Sequence, residues 1–378
     1  MRGCFIALLT SAPLLAFAHG IPTPGAIDAQ VARVMRETGA KGLAIAVIDE
    51  GRPVHVAAHG VRNEAGEPLQ TDTIMYGASL TKAVFAYTVM RQVEQGRFGL
   101  DTSFAELLPK PLPEYHSSDI ANRYADWTAL DERWRRLTPR IALTHATGFA
   151  NFGFLEPDEK LHFHFDPGAR YAYSGDGLNT LQFVMETGQG IDVGAQAAKI
   201  FDEFGMTRTS LVWRADFAGN LADGWDANGK VEPHDERSKV RAAGSMDTTI
   251  ADFAKFAAAF VRGDGLSREG RAEMVRPQRP ITTKSQFPSL QPELPVNLRR
   301  KDLAAGLGVV VFDGPQGPGF FKGGHNDTTG NTWVCVERHQ RCVVILSNDV
   351  RSEKGFAGLV RFVLGQTGVP YEWEYGTQ

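Results

Sequence analysis

The sequence predicts an α/β (α+β) fold in which an antiparallel sheet, flanked by helices, is built from both ends of the chain. Two observations lead to this prediction. Strand-like segments cluster towards the two ends, whereas the middle, roughly residues 100 to 240, is rich in Pro, Trp, Arg and short helical signals without a run of strands. An all-helical lobe inserted between two sheet-forming segments accounts for this order.

The first sheet-forming segment reads as a helix, a hairpin and a second helix. Residues 29–38 have amphipathic helical spacing, and residues 42–48 form a β-rich run. The turn Asp49-Glu50-Gly51 then leads into a second strand over 53–59. Residues 81–96 are apolar nearly all round, which predicts a buried helix.

The last third of the chain supplies the rest of the sheet. A helix over 249–261 precedes strands over 306–312, 331–337 and 342–347, and a final helix over 355–364 closes the chain. We expect a single domain over 26–378. It comprises an α/β lobe of residues 26–85 plus 240–378 and a helical lobe of about 86–239.

The composition is that of an ordinary soluble globular protein. The 378 residues are 43% hydrophobic and 22% charged, and 40 basic against 44 acidic residues give a formal net charge of −4. No basic stripe is present, so we expect no nucleic-acid partner. Beyond the first residues no apolar run reaches the ~18 residues needed to cross a bilayer, so we expect no membrane span.

The first 18 residues have the pattern of a signal peptide. Arg2 gives a short positive region, residues 5–15 are apolar, and Ala16-Phe17-Ala18 forms a cleavage site. The alternative is a short hydrophobic helix of the mature fold, but the Pro- and Gly-rich linker over 19–25 would break it. We therefore expect a periplasmic or secreted protein.

Export would remove Cys4 and leave Cys335 and Cys342. Pairing the two β-rich runs about Arg338 and His339 places these cysteines opposite each other, where a cross-strand disulfide can form. An oxidising compartment favours that bond, and two buried free thiols are the alternative.

No metal or cofactor is expected. His162 and His164 would share one side of a strand, an arrangement that suits a metal, but no third ligand follows at metal-site spacing. The two cysteines also match no zinc template.

Ser79 and Lys82 form the sharpest chemical signal. Lying three residues apart at the start of a helix, their side chains share one face within hydrogen-bonding reach. A serine hydroxyl needs a base to take its proton, and a lysine can be that base when burial lowers its pKa. Spacing alone also fits a capping serine beside a solvated lysine. The G-x-S-x-G pattern of α/β-hydrolases does not fit, because position 81 is Thr.

Two further segments accompany this pair. Residues 166–175 include Tyr171-Ala172-Tyr173-Ser174-Gly175, and residues 321–326 read Phe-Lys-Gly-Gly-His-Asn. In order, Ser-x-x-Lys, Tyr-Ser-x and Lys-Gly-Gly resemble the three motifs of the serine β-lactamase and penicillin-binding protein superfamily. The resemblance extends over nearly the whole chain after residue 18. It is closest to the class C branch, which includes D-Ala-D-Ala carboxypeptidases, D-amino-acid peptidases and carboxylesterases.

The resemblance implies a role for each matching residue. Ser79 would attack an acyl carbon, Lys82 would exchange its proton, and Tyr173 would be an acid/base partner. Lys322 would set the local field and contact a substrate carboxylate. Gly323, Gly324 and His325 complete this motif, and the backbone N–H groups of Ser79 and His325 would form the oxyanion hole. The substrate would be a small molecule or short peptide with an acyl group. Apart from the resemblance, we expect His145 to be a structural hydrogen-bonder beneath the site, with a role as base as the alternative.

Position 175 departs from the family pattern. The family's second motif is usually Tyr-x-Asn, whereas this chain has Gly175 followed by Asp176. Loss of the amide weakens the case for penicillins or peptidoglycan peptides as substrates and leaves room for simple esters. Retention of Lys322, a cation that many of the esterases replace, points in the opposite direction. A penicillin-recognising sensor without turnover is the alternative outside catalysis, and the remaining intact motif residues favour an enzyme.

Overall fold

An eight-stranded antiparallel sheet from both chain ends is the centre of the computed structural model, which describes residues 20–376. The strands in chain order are β1 (Gly42–Asp49), β2 (Arg52–Gly60), β3 (Met75–Tyr76), β4 (Gly224–Trp225), β5 (Val231–Glu232), β6 (Asp247–Thr248), β7 (Arg279–Pro280), β8 (Leu303–Ala305), β9 (Val310–Gly314), β10 (Gly317–His325), β11 (Gly330–Val336) and β12 (Arg341–Ser347). The order across the sheet is β2-β1-β12-β11-β10-β9-β8-β7, and β3–β6 and β4–β5 form separate small pairs.

Helices cover the sheet and fill the middle of the chain. They are α1 (Pro24–Thr38), α2 (Thr81–Glu94), α3 (Phe104–Leu107), α4 (Ser118–Arg123), α5 (Pro139–Leu143), α6 (Gly175–Phe183), α7 (Val193–Glu203), α8 (Ile250–Arg262), α9 (Arg268–Val275), α10 (Phe356–Leu364) and α11 (Tyr371–Tyr375). The predicted fold class, an antiparallel sheet from both ends with a helical insertion, is therefore confirmed. The predicted lobe boundary at 85/86 falls inside α2, which packs on α7 of the insertion and on α9.

Alternation along β1 divides the apolar side chains between the two faces of the sheet. Ala44 and Ala46 belong to the core that contains α2 and α8, whereas Leu43 and Ile45 belong to the core that contains α1 and α10. All four residues are fully buried. Because both faces are covered, the strand is apolar at every position from Leu43 to Ile48 rather than at alternate ones.

Three sequence predictions need correction in the fold. The first helix begins at Pro24, not residue 29, because Pro is favoured at the first helical position and Thr23 caps the N-terminus by accepting a hydrogen bond from Ala26 N–H. The predicted strand over 306–312 begins only at Val310, as β9, because residues 306–309 form the turn that joins β8 to β9, with Gly308 at φ 73°. A Cβ at Gly308 would lie 2.8 Å from Lys82 O, so the turn passes directly over α2.

The third correction concerns the segments around the last motif and the chain end. No strand is predicted from the sequence at Lys322, Gly323 and Gly324, which lie in strand β10 directly before the hairpin of β11 and β12. Helix α10 does not close the chain, since α11 follows it. The predicted signal peptide, residues 1–18, lies outside the described residues. Among the helices of residues 20–376, none has the length and apolar character needed to cross a bilayer.

Candidate active site

Ser79 lies in a 3₁₀ turn (Ala78–Leu80) that leads directly into α2. One helical turn later, Lys82 Nζ donates a hydrogen bond to Ser79 Oγ at 2.8 Å. Ala78, the residue before the serine, has φ 46°. A non-glycine residue in the left-handed region is a locally strained conformation, which is a common property of functional turns.

Tyr173 approaches the same oxygen from the chain before α6. Its hydroxyl donates to Ser79 Oγ at 2.9 Å, so Ser79 receives hydrogen bonds from both a lysine and a tyrosine. His145 stacks on the Tyr173 ring at 4.3 Å between centroids, and its Nδ1 accepts from Ser174 N–H at 3.1 Å. Burial lowers the pKa of His145 well below its ordinary value. A neutral, structural His145 beneath the site agrees with the sequence prediction.

The surroundings of Lys82 favour its neutral form. The side chain is 1% exposed, and Nζ also donates to Ala243 O at 2.5 Å. Burial, followed by the charge of Lys322, lowers the pKa of Lys82 well below its ordinary value, and the carboxylate of Asp176 opposes this. Burial raises the pKa of Tyr173, which keeps the phenol protonated. The geometry therefore joins a hydroxyl, an amine able to accept a proton and a phenol able to donate one.

Lys322 and the two glycines after it bring β10 against the serine turn. Lys322 Nζ donates to Gly323 O at 2.7 Å and lies 3.5 Å from the Tyr173 hydroxyl. A Cβ on Gly324 would lie 2.9 Å from Gly77 O and 3.1 Å from Ser79 N, so only glycine allows this approach. His325, the next residue, ends β10 and pairs across the sheet with Gly330.

Gly175 has an ordinary helical backbone as the first residue of α6. The space for a side chain is nevertheless filled, because a Cβ would lie 2.5 and 2.7 Å from two ring atoms of Phe152. An aromatic ring thus takes the place that the family motif gives to a polar amide. Sequence reasoning identified Gly175 but could not identify Phe152, which lies 23 positions earlier in a loop.

Sequence reasoning also missed a buried polar network behind Lys82. Asp176 Oδ1 accepts from Asn179 Nδ2 at 2.9 Å, and Asn179 Oδ1 accepts from Ala243 N–H at 3.1 Å. Because Ala243 O accepts from Lys82, the network holds the residue whose carbonyl positions the amine. Burial raises the pKa of Asp176 to about 6. The i, i+3 spacing of Asp176 and Asn179 on one helix face was the available signal.

These groups open into a cavity of about 670 Å³. Its walls combine the polar cluster with aromatic side chains, Phe152 and Phe287, and with residues from the C-terminal helix α11, Glu374 and Tyr375. The cavity is large enough for a drug-sized molecule.

The remaining predicted sites lie elsewhere. Cys335 and Cys342 face each other on β11 and β12 and are joined by a disulfide. His162 and His164 do not lie on a strand; His162 contacts Asp158 and His164 contacts Glu156. Within residues 20–376, no group of His, Cys, Asp and Glu is arranged to hold a metal ion.

The sequence profile of the β-lactamase family matches residues 27–366, which is most of the chain. The chain belongs to the β-lactamase family. Members of this family are serine hydrolases, so the chain is a β-lactamase-family serine hydrolase.

Solved β-lactamase-family structures share its fold. An octameric penicillin-binding protein homologue from Pyrococcus abyssi matches with a TM-score of 0.69 at 19% identity, covering 92% of this chain and 78% of that one. D-alanine carboxypeptidase AmpC from Burkholderia cenocepacia matches with a TM-score of 0.68 at 17% identity, covering 90% and 98%. A class C β-lactamase matches with a TM-score of 0.69 at 14% identity, covering 90% and 95%.

Two similar β-lactamase-family sequences are named esterases. Lovastatin esterase from Penicillium rubens is 28% identical over 184 residues, 42% of this chain and 45% of that protein. Esterase EstB from Burkholderia gladioli is 33% identical over 88 residues, 23% of this chain and 22% of that protein. The matched part of the chain thus spans less than half the length of either esterase.

Proposed function

We propose that this chain is an exported carboxylesterase that hydrolyses small esters with an apolar acyl group through an acyl-enzyme on Ser79. The observation that carries the proposal is the Phe152 ring packed against Gly175, at the wall of a cavity that contains Ser79 Oγ. An aromatic wall offers no hydrogen bond to an acylamino group, but it binds an alkyl or aryl chain by burial of apolar surface.

In the proposed mechanism, neutral Lys82 takes the proton of Ser79 Oγ as that oxygen attacks the ester carbon. The backbone N–H groups of Ser79 and His325 would stabilise the resulting oxyanion. Tyr173 would then give its proton to the leaving alkoxide. The brief tyrosinate would be stabilised by the ammonium of Lys322, which lies 3.5 Å from the phenolic oxygen.

Deacylation would reverse these proton transfers. Tyrosinate takes a proton from water, and the resulting hydroxide attacks the acyl carbon. Collapse of that intermediate releases the carboxylic acid, and Lys82 returns its proton to Ser79 Oγ. Each residue then regains its starting state. The raised pKa of Tyr173 and the lowered pKa of Lys82 support this division of roles.

The mouth of the cavity supports an apolar substrate. Phe152 stacks on Phe154 at 5.1 Å between centroids, and Phe154 and Leu155 are 65% and 61% exposed. Phe287 packs edge-on against Tyr173 from the other wall. The two esterases with similar sequences add support, although each is matched over only part of its length.

Export forms part of the proposal. It rests on the signal-peptide pattern of residues 1–18, and the Cys335–Cys342 disulfide suits an oxidising compartment.

Hydrolysis of β-lactams or D-amino-acid peptides is the second candidate. One observation favours it: Lys322 keeps a buried ammonium next to Tyr173, at the place where the family motif has its lysine.

A substrate panel on the unmutated enzyme tests the two candidates. We expect kcat/KM for p-nitrophenyl butyrate to exceed that for nitrocefin and for a D-Ala-D-Ala peptide by at least about tenfold, a difference of about 1.4 kcal/mol in transition-state stabilisation. Efficient cleavage of nitrocefin or the peptide with negligible esterase activity would overturn the carboxylesterase proposal. No turnover of any of the three would favour a non-catalytic sensor.

A further inference from the structure

Helix α11 returns the end of the described chain to the active site. Trp373 Nε1 donates to Thr283 Oγ1 at 3.2 Å, and Tyr375 Oη donates to Asn331 O on β11 at 3.2 Å. These contacts hold the middle and the last residue of the helix in place. Glu374, between the two anchors, lines the cavity together with Lys322.

Gly323 shows how closely the Glu374 carboxylate approaches the Lys322 motif. A Cβ on Gly323 would overlap Glu374 Oε1, and it would lie 3.0 Å from Glu374 Cδ and 3.3 Å from Tyr375 Oη. Gly323 belongs to the regular strand β10, so the glycine is needed for space and not for an unusual backbone conformation. The carboxylate therefore lies against the residue whose carbonyl accepts the Lys322 hydrogen bond.

Burial and the neighbouring charges act on the Glu374 carboxyl in opposite directions. Burial raises its pKa, and the positive charge of Lys322 acts in the opposite direction, as do a hydrogen bond from Gln286 and the charge of His325. The carboxylate of Glu353, which pairs with His325 at 3.3 Å, raises the pKa of Glu374 further. When Glu374 is ionised, the chain itself therefore supplies a negative charge beside the Lys322 motif.

We propose that Glu374 occupies the anion-binding position beside Lys322, so that the enzyme selects acyl substrates without a carboxylate at that end. This inference rests on the proposed ester hydrolysis at Ser79 and names the charge of its substrates. A carboxylate on the substrate would have to share Lys322 with Glu374 and would be repelled by the Glu374 carboxylate. An uncharged acyl chain would meet no such repulsion.

A matched pair of esters tests the proposal: p-nitrophenyl hexanoate, which is neutral, and mono-p-nitrophenyl adipate, which ends in a carboxylate. We expect Glu374→Gln to raise the ratio of kcat/KM for adipate to that for hexanoate about tenfold. Glu372→Gln is the matched control, since Glu372 is exposed on the same helix and does not line the cavity. It should leave the ratio unchanged.

The double variant Glu374→Gln/Lys322→Met identifies the cation involved. The gain for adipate should disappear, because the substrate anion would then have no ammonium to meet. An unchanged ratio in Glu374→Gln, or a gain that persists in the double variant, would overturn the proposal.

A second measurement needs no ester turnover and therefore separates this inference from the proposed function. Protection of Ser79 against a fluorophosphonate probe by 3-carboxyphenylboronic acid is compared with protection by phenylboronic acid. Glu374→Gln should improve protection by the carboxylate compound alone. Equal improvement for both compounds, or none, would count against a charge role for Glu374 even if the enzyme proves to be an esterase.

Discussion

The ring of Phe152 lies where the side chain of any larger residue at position 175 would have to go. A Cβ on Gly175 would be 2.5 Å from Phe152 Cε1, and it would also lie 3.3 Å from Ala243 Cβ. The helical backbone at Gly175 accepts any residue. Steric exclusion by one aromatic ring, and not backbone conformation, therefore keeps an amide out of this position.

This relationship predicts the outcome of restoring the family amide. Gly175→Asn alone should lower the free energy of unfolding by roughly 1–3 kcal/mol, the usual cost of overpacking. Phe152→Ala/Gly175→Asn should recover most of that loss and raise the nitrocefin rate relative to the p-nitrophenyl butyrate rate about fivefold, the worth of a hydrogen bond of ~1 kcal/mol. Thermal unfolding and kcat/KM measure the two effects, with Phe152→Ala as the control. An unchanged Tm in the Gly175→Asn variant would contradict the steric explanation.

The role proposed for Ser79 predicts that Ser79→Ala loses ester turnover by on the order of 10³-fold or more while keeping its Tm. Ser285→Ala is the control, because Ser285 lines the same cavity but has no role in the proposed mechanism. A fluorophosphonate should increase the mass of the peptide that contains Ser79 by that of one bound probe group. Labelling at another serine, or near-normal turnover by Ser79→Ala, would reject the mechanism.

The charges around Lys82 predict opposite shifts of the acid limb of the pH–rate profile. Since the neutral amine is the reactive form, kcat/KM should rise with pH through the pKa of Lys82. Lys322 lowers that pKa and Asp176 raises it. Lys322→Met should therefore move the limb to higher pH, and Asp176→Asn should move it to lower pH.

The measurement is kcat/KM for p-nitrophenyl butyrate between about pH 5 and 9, a range within which a lysine pKa lowered by burial can fall. Lys199→Met, which removes an exposed lysine on α7, serves as the control and should leave the limb in place. Shifts of the same sign in Lys322→Met and Asp176→Asn would show that Lys82 is not the group that titrates.

The proposed export predicts that the signal peptide is cleaved from the chain. Protein recovered from the periplasm or medium should begin at or near His19, and alkylation without reductant should modify neither Cys335 nor Cys342. Intact-mass analysis with and without reductant measures both properties. Two modified thiols before reduction would reject the bond in the exported protein, and a retained N-terminus would reject cleavage.

Local spacing explains which parts of the site could be predicted from sequence. Ser79 and Lys82 lie one helical turn apart, so their contact follows from the helix repeat alone. Tyr173 and Lys322 required a resemblance to known motifs, because their approach to Ser79 depends on tertiary packing. The strand pairing of Cys335 with Cys342 was accessible because only a short turn separates them.

The features missed from sequence all depend on contacts between distant segments. Phe152 and Glu374 lie in a loop and a short terminal helix whose own sequences carry no chemical motif. The apolar neighbours of Gly308 predict a strand, but the chain turns there because the backbone of α2 passes beneath it. Such constraints are properties of the packed fold and leave no periodic signal.

The order of strands also has a consequence for biosynthesis. The first strand, β1, has the hairpin strand β2 on one side and β12 on the other, and Gly42 and Ser347, which share a hydrogen bond, are 305 residues apart. A ribosome must therefore release nearly the whole polypeptide before β1 gains its second neighbour, and until then the hairpin presents an unpaired apolar edge. Completion of the sheet is therefore a late event in synthesis, and the hairpin edge is open to aggregation until the last strands have been made.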